Sequence, residues 1–357
     1  MSSTRSSLSL SPQPDHPVSA ASAGVSDDDV AAIDALGQIS KEIRNQLGRV
    51  IIGQDKVIEH LLIAIFARGH ALLVGVPGLA KTLLVRSLSQ TMSLDFSRIQ
   101  FTPDLMPADI TGTDILQESD QPGRRRFEYV KGPIFANIVL ADEINRAPPK
   151  TQSALLEAMQ EHRVTAGGHL YQLPQPFFVL ATQNPVEQEG TYPLPEAQLD
   201  RFMFLIQVDY PTLSEERRIA RETTGAGGTP IENVINGEQL LYFQELVRRV
   251  PVPDHIYDMV VSLIRATRPN SENSPAWLRN LVTWGAGPRA VQSLILSAKA
   301  RAALHGSYLV RAEDIEDLAR PILVHRILTS FSAQSEGMGS RQIVDKLLED
   351  LRIGNLS

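Results

Sequence analysis

An apolar run, His70-Ala71-Leu72-Leu73-Val74, leads straight into Gly75-Val76-Pro77-Gly78-Leu79-Ala80-Lys81-Thr82, and that turn leads into a helix-like run from Leu83 to Ser89. Few folds accept this order of pieces. A buried strand, a glycine-rich turn ending in Lys-Thr and a helix together form a phosphate-binding loop. The turn lets backbone N–H groups converge on one point, and the helix N-terminus adds the positive end of its dipole. In that arrangement Lys81 reaches the β- and γ-phosphates, and the Thr82 hydroxyl is placed to hold Mg²⁺. The pattern ordinarily has glycine before the lysine, and here the residue is Ala80. Alanine tolerates a positive φ poorly, so Ala80 is expected to be helical already.

A second constraint lies downstream. Ile138-Val139-Leu140-Ala141 is a β-branched, apolar run that ends in Asp142-Glu143. In an open α/β sheet, ligands bind at the C-terminal ends of the strands, so a buried strand that delivers two carboxylates there suits phosphate chemistry. Asp142 is placed to hold the Mg²⁺ through water and Glu143 to polarise an attacking water. Phe177 to Thr182 reads as a further buried strand ending at Gln183-Asn184-Pro185. Asn184 has two readings, a group that orients water or an ordinary turn asparagine. Ser97 to Phe101 and Met203 to Val208 complete the expected strands.

Upstream, Val30, Ile33, Leu36, Ile39, Ile43 and Leu47 recur at helical spacing after a cap at Ser26 or Asp27. Val50-Ile51-Ile52-Gly53-Gln54 then precedes a helix over Lys56 to Phe66, and these apolar residues are either an adenine pocket or plain loop-to-core packing. Two hairpins are expected: Thr113 to Glu118 with Arg126 to Val130, and Val164 to Tyr171 around Gly167-Gly168. Arg124, Arg125 and Arg126 lie at or beside the first tip, as a client or nucleic-acid contact or as a solvated turn. Beyond Pro211 the chain is helical: Ser214 to Thr223, Gly237 to Arg248, His255 to Thr267, Pro288 to Leu304 and Ala312 to Leu328. A domain boundary therefore falls near Tyr210–Thr212. The division is a disordered tail over residues 1–27, a nucleotide-binding core over 28–210, a helical lid over 211–330 and a C-terminal helical extension over 331–357.

Composition narrows the classes. The chain has 357 residues, 43% of them hydrophobic, enough for one large or two ordinary domains. A net charge of −7 argues against a general nucleic-acid binder. With no cysteine there is neither a disulfide nor a thiolate site. No stretch approaches ~20 uninterrupted apolar residues, so no membrane span is expected, and no secretory signal is seen. A reducing cytoplasm fits all of this.

The motifs Val50 to Gln54, Gly75 to Thr82, Ala141 to Gln160, Ala181-Thr182-Gln183-Asn184-Pro185, Glu196 to Phe202 and Gly287-Pro288-Arg289-Ala290 closely resemble those of MoxR-type AAA+ ATPases, relatives of the magnesium-chelatase ATPase subunit. The resemblance covers roughly residues 30–330, and Leu140 to Gln152 is its most specific stretch. It implies an α/β fold: a P-loop AAA+ five-stranded parallel sheet of order 5-1-4-3-2 with helices on both faces, followed by a helical lid. It implies ATP and Mg²⁺ as cofactors and a homo-oligomeric ring, typically a hexamer. It implies Asn184 as a polar sensor, Arg289 contacting the γ-phosphate within the same subunit, and Arg201 as the finger reaching the neighbour's γ-phosphate. Arg146 is a second candidate for that trans contact, and a bland alternative pairs Arg201 with Asp200 or Glu196. The implied activity is chaperone-like remodelling of a partner, a von Willebrand factor A-type protein, with hydrolysis moving lid and hairpins against it. A nucleic-acid motor and a metal-chelatase subunit are the alternatives.

Overall fold

Short runs of β-branched and aliphatic residues with no polar alternation are what a parallel sheet covered on both faces requires. Such runs build the centre of this protein. The structure, a computed structural model, describes residues 27–118, 125–186, 190–224 and 230–352. The expected tail lies outside them except for Asp27, which opens the first helix, and the first hairpin's tip with Arg124 lies outside them too.

In chain order, α1 (Asp27–Gly48) and α2 (Asp55–Phe66) precede β1 (Ala71–Val74) and α3 (Lys81–Thr91). Next come β2 (Phe96–Gln100), α4 (Pro107–Thr111), the hairpin β3 (Gly112–Glu118) and β4 (Arg125–Lys131), then β5 (Ile138–Asp142) and α5 (Pro149–Glu161). The second hairpin, β6 (Arg163–Ala166) and β7 (His169–Gln172), leads to β8 (Phe178–Gln183), the short α6 (Glu196–Leu199) and β9 (Phe204–Gln207). The helical half comprises α7 (Leu213–Thr223), α8 (Gly237–Arg249), α9 (Asp254–Ala266), β10 (Val282–Trp284), α10 (Pro288–Leu304), α11 (Ala312–Leu323), β11 (Leu328–Thr329), α12 (Phe331–Ser335) and α13 (Ser340–Arg352).

The five-stranded parallel sheet has the order β2-β5-β8-β1-β9, which is the expected order read from its other edge. Alternate strand residues serve two apolar clusters. Ala71, Leu73, Ile138, Leu140, Phe178, Leu180, Phe204 and Ile206 face a cluster shared with α1 to α3 and the helical half, from Ile33 to Leu348. Leu72, Val139, Ala141, Val179 and Ala181 face the other, shared with α4 and α5. The sheet and the helical half therefore bury one continuous apolar surface. The last expected lid helix stops at Leu323 rather than at Leu328, because Leu328 and Thr329 pair with Val282 and Trp284 in a two-stranded ribbon. The expected C-terminal extension packs inward through Ile343, Val344, Leu347 and Leu348.

His70 ties the two faces together. Its Nε2 donates to the Met159 carbonyl at 3.2 Å, and its Nδ1 accepts from the Val179 N–H at 3.0 Å. Burial lowers its pKa to about 4, and burial lowers that of His60 to about 4 as well. Between the ordinary value of 6.5 and about 4, the unfolded chain binds protons that the folded chain refuses, so stability falls as pH drops through that window. Each histidine contributes roughly 3 kcal/mol to that loss. Thermal unfolding followed from pH 7 to pH 4.5 should show Tm falling. His70→Gln, which keeps one donor and one acceptor, should make the fall shallower; an unchanged slope would exclude His70 as a source.

Candidate functional site

The sheet register decides which residues meet. Val74 is level with Gln183, and Ala141 is level with Ala181. The chain segments leaving β1, β5 and β8 therefore emerge side by side, which brings the phosphate loop, Asp142-Glu143 and Asn184 to one edge.

Within the loop, Gly75 is a steric necessity, because a Cβ there would lie 2.8 Å from the Val208 carbonyl oxygen. Gly78 and Ala80 both take left-handed backbone, with φ of 85° and 53°. Ala80 is thus not helical, contrary to the expectation from its type. It caps the helix, and its carbonyl accepts the first helical bond, from Leu84 N–H at 2.9 Å. Among the described residues, the N–H groups of Gly78 to Leu83 have no hydrogen-bond partner. That concave row of free donors is an anion cradle. The Lys81 ammonium folds back onto the Gly75 carbonyl. Burial lowers its pKa, opposed by the charges of Asp142 and Glu143, so the lysine and the carboxylates share one electrostatic neighbourhood.

The acidic pair is held on several sides. Thr182 donates its hydroxyl to Asp142 Oδ1 at 2.6 Å and accepts the Glu143 N–H at 2.9 Å. Arg98 reaches Asp142 Oδ2 at 2.6 Å. Glu143 has left-handed backbone, φ 57°, and its Oε2 accepts from Gln100 at 2.8 Å and from Arg146 at 2.9 Å. Gln100, Arg98 and Thr182 were not singled out in the sequence; their signal is strand register, since Gln100 is level with Asp142. Asn184 is buried, with its Oδ1 accepting from Val186 N–H at 3.1 Å, which is the turn-asparagine bond.

Val50 and Ile51 pack against the large apolar cluster, while Ile52 is buried outside both clusters. A groove of about 690 Å³ runs beside this segment, along the β9 edge past Gln54, His60, Tyr210 and Glu215. It is charged, includes no residue of the phosphate loop, and is not where the phosphate chemistry is concentrated.

The arginines lie elsewhere. Met203 N–H bonds the His70 carbonyl, so residues 200–203 stand at the start of β9, at the sheet edge opposite the phosphate loop. Four strand residues, roughly 13 Å, separate the two edges. Arg289 bonds Asp200 Oδ2 at 3.1 Å, which places it at the same far edge. The Arg289 guanidinium is thus engaged by Asp200, with 42% of the side chain still exposed. The alternative pairing of Arg201 with Asp200 is not what forms: Asp200 is taken by Arg289 and Arg326, and the Arg201 side chain has no partner among the described residues.

As to Mg²⁺, a hydroxyl and a carboxylate are the hard oxygen donors such a cation takes. The Thr82 hydroxyl has no partner among the described residues, and Asp142 lies in the same electrostatic neighbourhood as the loop. No cluster of three or more His, Asp or Glu side chains that could hold a metal ion occurs among the described residues. The residues fit the ion.

A model of the ATPase family associated with various cellular activities (AAA) matches residues 70–204, and one of the AAA lid domain matches residues 277–347. Chaperone MoxR1 of Mycobacterium tuberculosis is 41% identical over 310 residues, covering 86% of this chain and 80% of that protein. This chain belongs to the MoxR family of AAA+ ATPases. A second MoxR-family relative, Protein MoxR of Methylorubrum extorquens, is 31% identical over 312 residues, 82% of this chain and 88% of that protein. A crystal structure of a Cytophaga hutchinsonii protein superimposes with a TM-score of 0.83 at 42% identity, covering 90% of this chain and 96% of that one. Family membership supports ATPase activity in general and the α/β core with its helical lid. Among the described residues of this MoxR-family chain, no helix is long and apolar enough to cross a membrane.

The left-handed Ala80 gives a direct test of the loop. Relief of about 1–2 kcal/mol of backbone strain outweighs the glycine entropy of about 0.4–1 kcal/mol in the unfolded chain. Ala80→Gly should therefore raise the stability of nucleotide-free protein in urea unfolding by about 0.5 kcal/mol. Ala80→Val should lower it, because a β-branched side chain fits positive φ worst. A destabilised Ala80→Gly would count against the left-handed assignment.

Proposed function

We infer that this protein hydrolyses ATP with Mg²⁺ at sites completed between two copies in a homo-oligomeric ring, a hexamer on family resemblance, and uses the cycle to remodel a partner protein. One observation carries the reading. The phosphate loop and the acidic pair occupy one edge of the sheet, while Arg201, with no partner among the described residues, and Arg289 occupy the other.

The cradle from Gly75 to Thr82 binds the phosphates, and Val50, Ile51 and Ile52 face the base. Thr82 and Asp142 hold Mg²⁺, Asp142 through water; when bound, the ion neutralises phosphate charge. Glu143 accepts a proton from water as it attacks the γ-phosphate, and Asn184 orients that water. Gln100 and Arg146 both bond Oε2 of the Glu143 carboxylate and so orient it. Arg201 of one copy stabilises charge on the γ-phosphate held by the next, with Arg146 as the second candidate, a contact worth about 10³–10⁵ in rate in related enzymes; Arg289 leaves Asp200 to reach the γ-phosphate of its own chain.

The proposed partner is a von Willebrand factor A-type protein, the class the family resemblance implies, and the cytoplasm is its proposed setting. Phe127 and Leu116, directly opposite each other on the first hairpin and 75% and 51% exposed, are the side chains offered to it. The second hairpin braces them through stacking of Tyr129 on Tyr171 at 4.0 Å. If von Willebrand factor A-type proteins neither bind the ATP-loaded oligomer nor change its turnover, the partner reading fails.

Turnover per subunit should rise with protein concentration and be lost in Arg201→Ala. A flat rate, with Arg201→Ala active, would mean a site complete within one chain or one using Arg146. Glu143→Gln should cut turnover by about 10²–10⁴ while nucleotide affinity holds; retained turnover would remove Glu143 as the base.

A further inference from the structure

The residues just after α11 grip the turn that carries Arg201. The Arg326 side chain is only 2% exposed, and its guanidinium has partners for every edge. Its Nε donates to Asp200 Oδ1 at 2.7 Å, and its Nη1 donates to the Met203 carbonyl at 3.2 Å and to that of Ile322. Its Nη2 donates to the carbonyls of Phe202 at 2.8 Å and Asp200 at 3.2 Å. His325, kept neutral by burial, adds an Nε2 hydrogen bond to the Phe202 carbonyl at 3.0 Å.

The pattern is selective. Of residues 200–203, three give an oxygen to Arg326. The fourth, Arg201, is left with its guanidinium unpartnered among the described residues. The other oxygen of Asp200 holds Arg289. A buried charge is a poor way to gain stability, since apolar packing serves as well or better. A planar fork across the carbonyls of Asp200, Phe202 and Met203 instead removes that turn's freedom.

We propose that Arg326, seconded by His325, is a positioning residue that sets the Arg201 turn, so that the helical half of one copy governs the hydrolytic site of the next. The proposal rests on the reading that Arg201 acts on a second copy. Arg326 touches no nucleotide; it acts through the backbone of residues 200–203.

Mixed oligomers of the full chain test both steps. Lys81→Ala spoils a copy's own loop and keeps its Arg201; Arg201→Ala does the reverse. Each alone is expected to be inactive and the mixture active. Arg326→Lys keeps the charge and loses the fork. Placed on the Lys81→Ala chain, it should lower the mixed rate about a hundredfold, the cost of an ångström-scale misplacement. Placed on the Arg201→Ala chain, it should change the rate by less than about twofold, because that copy's turn is already without its arginine. Equal loss in both placements means that Arg326 serves folding alone, and no loss in either means that it positions nothing; both outcomes overturn the proposal. A silent mixture without any Arg326 change overturns the shared-site reading itself and the proposal with it. Asp200→Asn weakens the same clamp from the other side and should reproduce the asymmetry where Arg326→Lys does not fold.

Discussion

The chemistry depends on the register of β1, β5 and β8, which pairs Val74 with Gln183 and Ala141 with Ala181. These strands are buried on both faces, Leu72, Val139 and Val179 against one apolar cluster and Leu73, Leu140 and Leu180 against the other, and close packing on each side resists a shift. Their ends are therefore fixed relative to one another, and a loop, a carboxylate pair and an asparagine far apart in sequence arrive together. Thr182 shows how finely this works. One hydroxyl spans two strands, donating to the Asp142 carboxylate and accepting from the next residue's N–H.

The parts written locally were the ones legible in the sequence. The phosphate loop, the acidic strand end and the five strand runs are contiguous, and a doubly buried strand is an uninterrupted apolar run. The sheet order and the lid came through resemblance to the family, and the structure has both. What was hidden depends on neighbours across the sheet. Gln100 becomes a partner of Glu143 only once it is level with Asp142. Asp200 becomes a partner of Arg289 only once the start of α10 is packed beside the start of β9. Ala80 misled for a different reason: residue preference favoured a helical backbone, but the loop closes only through a left-handed residue there, and tertiary geometry outweighs a cost of about 1–2 kcal/mol. The ribbon of β10 and β11 is too short to leave a pattern, so Leu328 read as the end of a helix.

Electrostatics divides the molecule along the same line as the register. At the loop edge, positive groups wait for an anion: free N–H donors, a helix terminus and a lysine whose charged form is disfavoured by burial. At the far edge a buried guanidinium is satisfied by backbone oxygens, and Asp200 is shared between two arginines. One edge presents free donors, and at the other Arg201 has no side-chain partner among the described residues.

The continuous apolar cluster from Ile33 to Leu348 has a mechanical consequence. A joint needs a weakly packed seam, and the helical half shares its packing with the sheet's own back face. Displacing that half within one copy would open buried leucine and isoleucine contacts, which close-packed interiors resist. A load placed on one half is therefore carried into the other rather than taken up between them, as between the stones of an arch.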